Sequence, residues 1–144
     1  MKDAFGGILN LVFISVFLLI VIGVLGLVTT YTKAFKMKNI VISSVEQYEG
    51  SCCDGNNGGA SCVNDSACVS KIRIEAEKLG YSPVNLNCPT DYSNNELYCI
   101  KKIDEGSRYY YNIIVQVDVH FPIVSNILGF RMFQVSGDTR YINR

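Results

Sequence analysis

The sequence predicts an α+β protein: a single-pass N-terminal transmembrane helix, extended into an amphipathic helix, and a small disulfide-stapled antiparallel β domain. Three observations support this prediction. An apolar run of twenty-one residues near the N-terminus contains no charge. All six cysteines follow that run, within forty-eight residues of each other. The last third of the chain alternates in hydropathy with the period of a β-strand.

The apolar run, Ile8 to Val28, is long enough to cross a bilayer. Asn10 and Ser15 are its only polar residues. As a helix it would measure about 31 Å, which matches the thickness of the hydrocarbon core. A buried core helix is the poorer alternative, because so short a chain cannot surround a segment that is apolar on every side. A cleavable signal peptide would have a shorter apolar region and a small-residue cleavage site, and no A-x-A pattern follows here.

We therefore divide the chain into a tail and anchor at 1–28, an extended amphipathic helix at 29–49 and a cysteine-rich α+β extracytoplasmic domain at 50–144. The second segment has apolar residues at every third or fourth position, which together predict one stripe along a helix; they are Ala34, Met37, Val41, Val45 and Tyr48. Gly50 follows where such a helix would end. We expect the stripe to pack against the C-terminal sheet.

The cysteines predict the compartment of the domain. An even number of cysteines in a small domain beyond a membrane span indicates disulfides formed in an oxidising space. We expect three disulfides among Cys52, Cys53, Cys62, Cys68, Cys88 and Cys99. Fifteen pairings are open, and we expect Cys88 to pair with Cys99. Lys33, Lys36 and Lys38 would by the positive-inside rule place the domain in the cytosol, but six reduced cysteines without metal spacing are the less plausible arrangement.

A second helix is predicted over Ala67 to Leu79, with Asp65 or Ser66 as its N-cap and Gly80 at its end. Its apolar face would consist of Cys68, Ile72, Ala76 and Leu79. The stretch from Tyr81 to Asn95 contains two prolines and several asparagines, so we expect it to be irregular.

The strongest β-strand pattern begins at Leu97. Leu97 to Ile103 and Arg108 to His120 flank a predicted hairpin turn at Asp104 to Ser107. In the second strand the odd-numbered residues from Tyr109 to Val119 would form the buried face, and the even-numbered residues the wetter one. Phe130 to Tyr141 is predicted to be a further strand, with Phe133, Val135, Thr139 and Tyr141 on one side.

The residue types exclude several classes of function. His120 is the only histidine, and no serine or cysteine stands at a recognisable spacing from it. Adjacent Cys52 and Cys53, without a C-x2-C pair, do not match the ligand spacing of zinc sites. The net charge is zero, without the basic face that nucleic-acid binding needs. We therefore expect no catalytic or metal site, no cofactor, no small-molecule substrate and no nucleic-acid partner.

One loop is unusually apolar and is a candidate interface. The segment FPIVSNILG lies between two predicted strands, where a loop is normally short and polar. Its large apolar side chains are Phe121, Ile123, Val124, Ile127 and Leu128. They either cap the domain's own core or contact a neighbouring subunit or the membrane surface. The variant Ile123→Asn with Leu128→Asn separates these alternatives, because only loss of core residues would lower the stability of the domain.

The end of the chain resembles the TadE-like proteins of the tight-adherence pilus system. In that family an alternating valine-rich strand leads to an aromatic-Pro-hydrophobic stretch, a Leu-Gly and a second strand. The corresponding parts are Ile113 to His120, Phe121-Pro122-Ile123, Leu128-Gly129 and Phe130 to Tyr141. The anchor that continues into an amphipathic helix fits as well, so the resemblance covers about half of the chain.

This resemblance implies a pilin-like fold and a minor pilin or assembly component of a bacterial surface pilus or related secretion apparatus. The implied partners are the lipid bilayer and sibling pilin-like subunits. Two features depart from the family. Leu11 and Val12 stand where pilin-type helices usually have an acidic residue after Gly6 or Gly7, and the cysteine-rich segment is not a family hallmark. The alternative is a membrane-anchored recognition module that binds a surface partner without polymerising.

Overall fold

The computed structural model describes residues 2–49, 52, 66–82, 86–118 and 132–143. The helices and strands in chain order are α1 (Lys2–Gln47), α2 (Ser66–Lys78), β1 (Ser93–Asn94), β2 (Cys99–Glu105), β3 (Arg108–Asp118), β4 (Met132–Asp138) and β5 (Ile142–Asn143). A long N-terminal apolar helix is followed by a small antiparallel sheet, which confirms the predicted α+β class.

The sheet has the strand order β1-β2-β3-β4, and β5 pairs with the first residues of β3. β2 and β3 form the predicted hairpin, but its loop is only Gly106-Ser107, since Glu105 pairs with Arg108. Asp104 and Glu105 therefore belong to β2 and not to the turn. Gly106 has a φ of 72°, whereas the φ of Ser107 is not positive. This combination is typical of a type II′ turn, whose backbone twist matches that of the two strands.

α1 continues without interruption through the predicted anchor and the predicted amphipathic helix. Its stripe is confirmed: Ala34, Met37, Val41 and Val45 are fully buried in one core with the sheet. The helix ends at Gln47, and Glu49 adopts the left-handed backbone with a φ of 52°. The predicted stop at Gly50 lies outside the described residues.

The close packing of α1 on the sheet depends on a glycine in β4. A Cβ atom at Gly137 would lie 2.9 Å from both Ile42 Cδ1 and Lys38 Cδ. Further along the helix, the Glu46 carboxylate accepts hydrogen bonds from the backbone N–H of Arg140 at 2.8 Å and from its Nε at 3.1 Å. Neither contact follows from a local sequence pattern, because each joins residues that are remote in the chain.

α2 spans Ser66–Lys78, one residue earlier at each end than predicted, and Asp65, one of the two predicted N-caps, lies outside the described residues. Cys68, Ile72 and Ala76 of its apolar face are buried. The backbone N–H groups of Gly80 and Tyr81 donate to the carbonyls of Glu77 and Ala76, both at 2.9 Å. With a φ of 60° at Gly80, these bonds form a Schellman C-cap.

The odd-numbered face of β3 is the predicted buried face. Tyr111, Ile113, Val115 and Val117 are at most 9% exposed, and Tyr109 is partly buried against the same core. The prediction that the opposite face is wet is wrong near the end of the strand, where Ile114 and Gln116 are only 4% and 7% exposed.

Residues 86–92 explain this difference, because they cover the even-numbered face. The Gln116 side chain accepts from the backbone N–H of Asn87 at 3.1 Å and donates to its carbonyl at 3.0 Å. The Tyr92 hydroxyl lies 2.8 Å from Asn112 Oδ1. Residues 86–92 are irregular, as predicted, yet they form a layer of their own over the sheet.

The last strand is shorter than predicted. β4 ends at Asp138, after which Thr139 bonds to Tyr111 through both its backbone N–H and its side-chain oxygen, each at 2.9 Å. Tyr141 is 53% exposed and does not share the buried side of Val135, because the chain has left β4 before it forms β5. Phe130, Val119 and His120, at the predicted strand ends, lie outside the described residues.

Buried tyrosines give the stability of the domain a predictable pH dependence. The Tyr81 hydroxyl donates to the carbonyl of Gln116 at 2.6 Å, with the Leu97 carbonyl at 3.2 Å, and burial raises the pKa of Tyr81. Burial, followed by the charges of Tyr109 and Asp104, raises the pKa of Tyr111 to about 12.

We expect the free energy of unfolding to fall as pH rises from about 10 towards 12. The unfolded chain releases its tyrosine protons near pH 10, whereas the folded domain retains them to higher pH, so the stabilisation is complete below pH 10. Denaturant unfolding of the chain in detergent micelles at pH 9 and 11.5 measures the change. Tyr111→Phe should flatten the pH dependence, and the exposed control Tyr141→Phe should not; equal slopes for all three proteins would contradict the prediction.

Candidate functional site

The first half of α1 is an exposed apolar surface. Isoleucine, leucine, valine and phenylalanine side chains point outward at successive positions, from Ile8 at 67% exposed to Val28 at 55%. Among the described residues, α1 is the one helix that is long and apolar enough to cross a membrane. Its most apolar 18 residues include no buried residue. A single N-terminal apolar helix of this kind suggests a membrane anchor.

Aromatic and basic side chains mark the end of this surface. Tyr31 and Phe35 are 52% and 44% exposed, and Lys33 and Lys36 are also exposed. The ammonium group of Lys38 lies 4.2 Å from the centre of the Phe35 ring. Tyrosine, lysine and similar amphipathic side chains favour the level of the lipid headgroups, where their apolar parts and polar ends are both accommodated. This part of α1 is therefore suited to the membrane–water boundary.

Two disulfides lie within the described part of the chain. Cys88 is bonded to Cys99, with a Cα–Cα distance of 5.7 Å, which confirms the predicted pairing. Cys52 is bonded to Cys68 at 5.3 Å. Cys53 and Cys62 lie outside the described residues, so the third disulfide stays a prediction. The disulfides suggest that the domain is extracytoplasmic.

The two disulfides lie on different sides of the sheet: Cys52 and Cys68 belong to the core that contains Ile113 and Val115, whereas Cys99 is the pairing partner of Ile114 on the opposite face. Cys52–Cys68 connects the chain just after α1 to the first turn of α2, and both cysteines are fully buried. The Tyr98 hydroxyl donates to the Cys52 carbonyl at 2.8 Å, which adds a contact to the residue before β2. Cys88–Cys99 connects the layer formed by residues 86–92 to β2. The sequence could show that the cysteines cross-link the domain, but not which layers they join.

The predicted interface, formed by Phe121, Ile123, Val124, Ile127 and Leu128, lies outside the described residues. The residues that flank it, Asp118 and Met132, are partners at the end of the β3–β4 pair. That end lies beside α1, because Asp118 and Thr30 line the same cleft. The role of the segment as an interface stays a prediction.

A tyrosine cluster lies at the opposite end of β3, with Tyr141 exposed and Tyr110 partly buried. The rings of Tyr110 and Tyr141 meet edge to face with their centres 5.3 Å apart. The guanidinium of Arg108 lies 4.9 Å from the centre of the Tyr141 ring. Tyr110 is the middle one of three consecutive tyrosines, whereas the contribution of Tyr141 depends on the pairing of β5 with β3. Within the described residues, no group of three or more histidine, cysteine or acidic side chains is placed to hold a metal ion.

Comparison with known protein families, with curated proteins and with solved structures finds no match to this chain. The TadE-like resemblance therefore remains a prediction from the sequence alone.

We expect the anchor to be retained in the mature protein. The carboxylate that usually follows a prepilin cleavage point is replaced by Leu11 or Val12, so processing after Gly6 or Gly7 is not expected. Mass spectrometry of the protein purified from membranes should find all the residues that precede Ile8, apart from loss of Met1. A mature N-terminus at Gly7 or Ile8 would contradict this expectation and would instead indicate prepilin-type processing.

Proposed function

We propose that this chain is a minor pilin-like structural or assembly component of a bacterial surface pilus or related secretion apparatus. It would be held in the cell membrane by a single span, with its C-terminal domain outside the cytoplasm. The main support is that α1 is continuous but has two different halves. Its first half exposes apolar side chains at successive positions, and its second half packs into the core of the antiparallel domain.

Such a helix suits transfer from a membrane to a filament. Lipid chains and the apolar helices of sibling subunits are equally apolar surroundings, so exchange of one for the other has a small hydrophobic cost. Gly23 and Gly26 lie within the apolar half, and nothing lies within 4 Å of a Cβ atom at Gly23. Glycine allows helices to approach closely, which would favour contact with a second subunit at this position.

The domain would move with the helix as one body. α1 has 46 residues and would be about 69 Å long. Its second half is fixed to the sheet by the buried stripe, by the close approach at Gly137 and by the Glu46–Arg140 contacts. A displacement of the anchor along its axis would therefore displace the domain equally, as the addition of a subunit to a filament requires.

We expect Gly23→Ile to reduce assembly without loss of anchoring. A Cβ atom at position 23 meets nothing within 4 Å in the isolated subunit, so we expect stability and the amount in the membrane to be unchanged. At a close helix–helix contact the same side chain would separate the subunits. Filaments sheared from cells should contain several-fold less of this variant, measured by mass spectrometry of their subunits. Val24→Ile is the control, because position 24 is already β-branched and exposed.

The proposal would be refuted if cells that produce the wild-type chain release no filament that contains it. A membrane-anchored recognition module is then the second candidate. It is favoured by the cluster of Tyr110 with the exposed Tyr141 and Arg108 at the end of the domain remote from the anchor, since tyrosine and arginine are enriched at binding hot spots. Loss of partner binding in Tyr141→Ala with Arg108→Ala would support that alternative.

A further inference from the structure

Three lysines follow the apolar half of α1 within a span of six residues: Lys33, Lys36 and Lys38. No aspartate or glutamate stands between Ala4 and Val45, so this part of the chain carries three positive charges without a compensating acid. The disulfides suggest that the domain is extracytoplasmic, so the positive-inside rule does not account for these lysines. Their position outside the cytoplasm therefore needs another explanation.

The lysines of α1 differ from those of the domain in their ion pairs. Lys78, Lys101 and Lys102 of the domain lie 2.6, 3.4 and 3.8 Å from a carboxylate oxygen. The three lysines of α1 make no ion pair with any residue in the described part of the chain. Lys33 shares a cleft with Asp118, so the two lysines farther along α1 are the ones available to an external anion.

The side chains of α1 lean towards the membrane. In an α-helix the Cα–Cβ bonds tilt towards the N-terminus, and the N-terminal half of α1 is the apolar half. Lys38 follows this direction, because its ammonium lies 4.2 Å from the centre of the Phe35 ring, three residues nearer to the anchor. Its stem is held by β4, since a Cβ atom at Gly137 would lie 2.9 Å from Lys38 Cδ.

Lys36 and Lys38 lie on either side of an exposed aromatic ring. Around the axis of α1 they are about 100° and 60° from Phe35, in opposite directions. Phe35 is 44% exposed, and Lys36 is exposed as well. Phe35 is seven residues beyond Val28, which is about 10.5 Å along the axis, and the headgroup region extends roughly 5–8 Å beyond the hydrocarbon core. Lysine side chains that lean towards the membrane therefore reach the level of the lipid phosphates.

We propose that Lys36, Lys38 and Phe35 form a binding surface for anionic phospholipids in the leaflet that faces the domain. Each ammonium would bind the phosphate of one lipid, and the ring would lie between the two lipids. Two cations favour a lipid with a net negative charge, such as phosphatidylglycerol, over a zwitterionic lipid, whose own ammonium they repel. The occupant is a lipid and not a soluble anion, because the surface continues the exposed apolar half of α1.

This inference rests on the anchoring part of the proposed function and is independent of filament assembly. It is tested with the full chain reconstituted in phosphatidylcholine vesicles that contain spin-labelled phosphatidylglycerol or spin-labelled phosphatidylcholine. Electron spin resonance measures the fraction of each labelled lipid that is immobilised next to the protein. We expect phosphatidylglycerol to be preferred more than about tenfold, since each lysine near the membrane surface favours an anionic lipid about fivefold.

Flotation of the vesicles distinguishes failure of this inference from failure of the anchor. A chain that does not float with the vesicles would refute the anchor and this inference together. A chain that floats but has no lipid preference would refute this inference alone.

Lys36→Gln should lower the preference about fivefold, whereas Lys36→Arg should keep it because the charge is retained. The double variant Lys36→Gln with Lys38→Gln should remove most of the preference. Lys101→Gln with Lys102→Gln is the matched control, because it removes two charges from β2 and none from α1, and its preference should equal that of the wild type. Sodium phosphate should weaken the preference no more than sodium chloride of equal ionic strength.

Three further results would overturn the proposal. Equal losses in the α1 and β2 double variants would indicate a general effect of protein charge on the vesicle. An unchanged preference in the α1 double variant would show that other groups select the lipid. Stronger competition by phosphate than by chloride would show that the lysines bind free phosphate.

Discussion

Val41→Asp is expected to unfold the domain. Val41 is fully buried at the centre of the α1 stripe, in the core that also contains Ile113 and Val115 of β3. Burial of an unpaired carboxylate costs several kcal/mol, which is a large part of the roughly 5–15 kcal/mol that stabilises a typical domain. Thermal unfolding of the full chain in micelles, followed by circular dichroism, should show the loss. A wild-type melting curve for Val41→Asp would mean that α1 is not part of the core.

Two variants show whether the effect is specific. Ser43→Asp places the same charge on the exposed side of the same helix and should be close to neutral. Ile114→Asp lies on the other face of β3, yet it should be about as destabilising as Val41→Asp, because Ile114 is only 4% exposed beneath residues 86–92. A near-neutral Ile114→Asp would show that this layer does not cover the sheet.

Removal of the Cys52–Cys68 disulfide is expected to lower the free energy of unfolding by about 3 kcal/mol. The bond closes a loop with a sequence separation of 16, and without it the unfolded chain gains conformational entropy. Both cysteines are fully buried, so replacement by alanine adds a smaller packing loss. The double variant Cys52→Ala with Cys68→Ala avoids a free thiol, and denaturant unfolding measures its stability.

The Cys88→Ala with Cys99→Ala variant is the comparison. Its loop has a sequence separation of 11, so the entropic loss should be slightly smaller. We expect a local effect in addition, namely faster hydrogen exchange at the backbone N–H of Asn87, since this disulfide holds residues 86–92 over β3. Alkylation of these cysteines in the native protein without a reductant would contradict both expectations and the extracytoplasmic location.

Much of the architecture could be predicted because it depends on periodicity within single elements. The apolar run to Val28, the stripe through Val41 and Val45, the α2 face and the odd-numbered face of β3 are all repeats along the chain. A helix or strand presents such repeats on one side whatever its surroundings. The pairing of Cys88 with Cys99 was also predictable, since two cysteines close in sequence flank the stretch before the hairpin.

The predictions that proved wrong concern side chains whose burial depends on the path of an irregular segment. No pattern in residues 86–92 indicates that they cross the even-numbered face of β3 and bury Ile114 and Gln116. The exposure of Tyr141 likewise depends on the end of β4 and the start of β5. Irregular segments lack a period that would assign their side chains to a face, so their contacts depend on the tertiary fold.

The sequence by itself determined an apolar helix of membrane-spanning length, a cysteine-linked domain after it, and the residues that join the two. Only the tertiary structure decided which groups meet at the boundary between them. Lys33 and Asp118 belong to different elements and share one cleft because α1 packs along β3 with Thr30 beside the end of that strand. Charges from remote parts of a chain become neighbours through packing, and packing depends on the shapes of several elements at once.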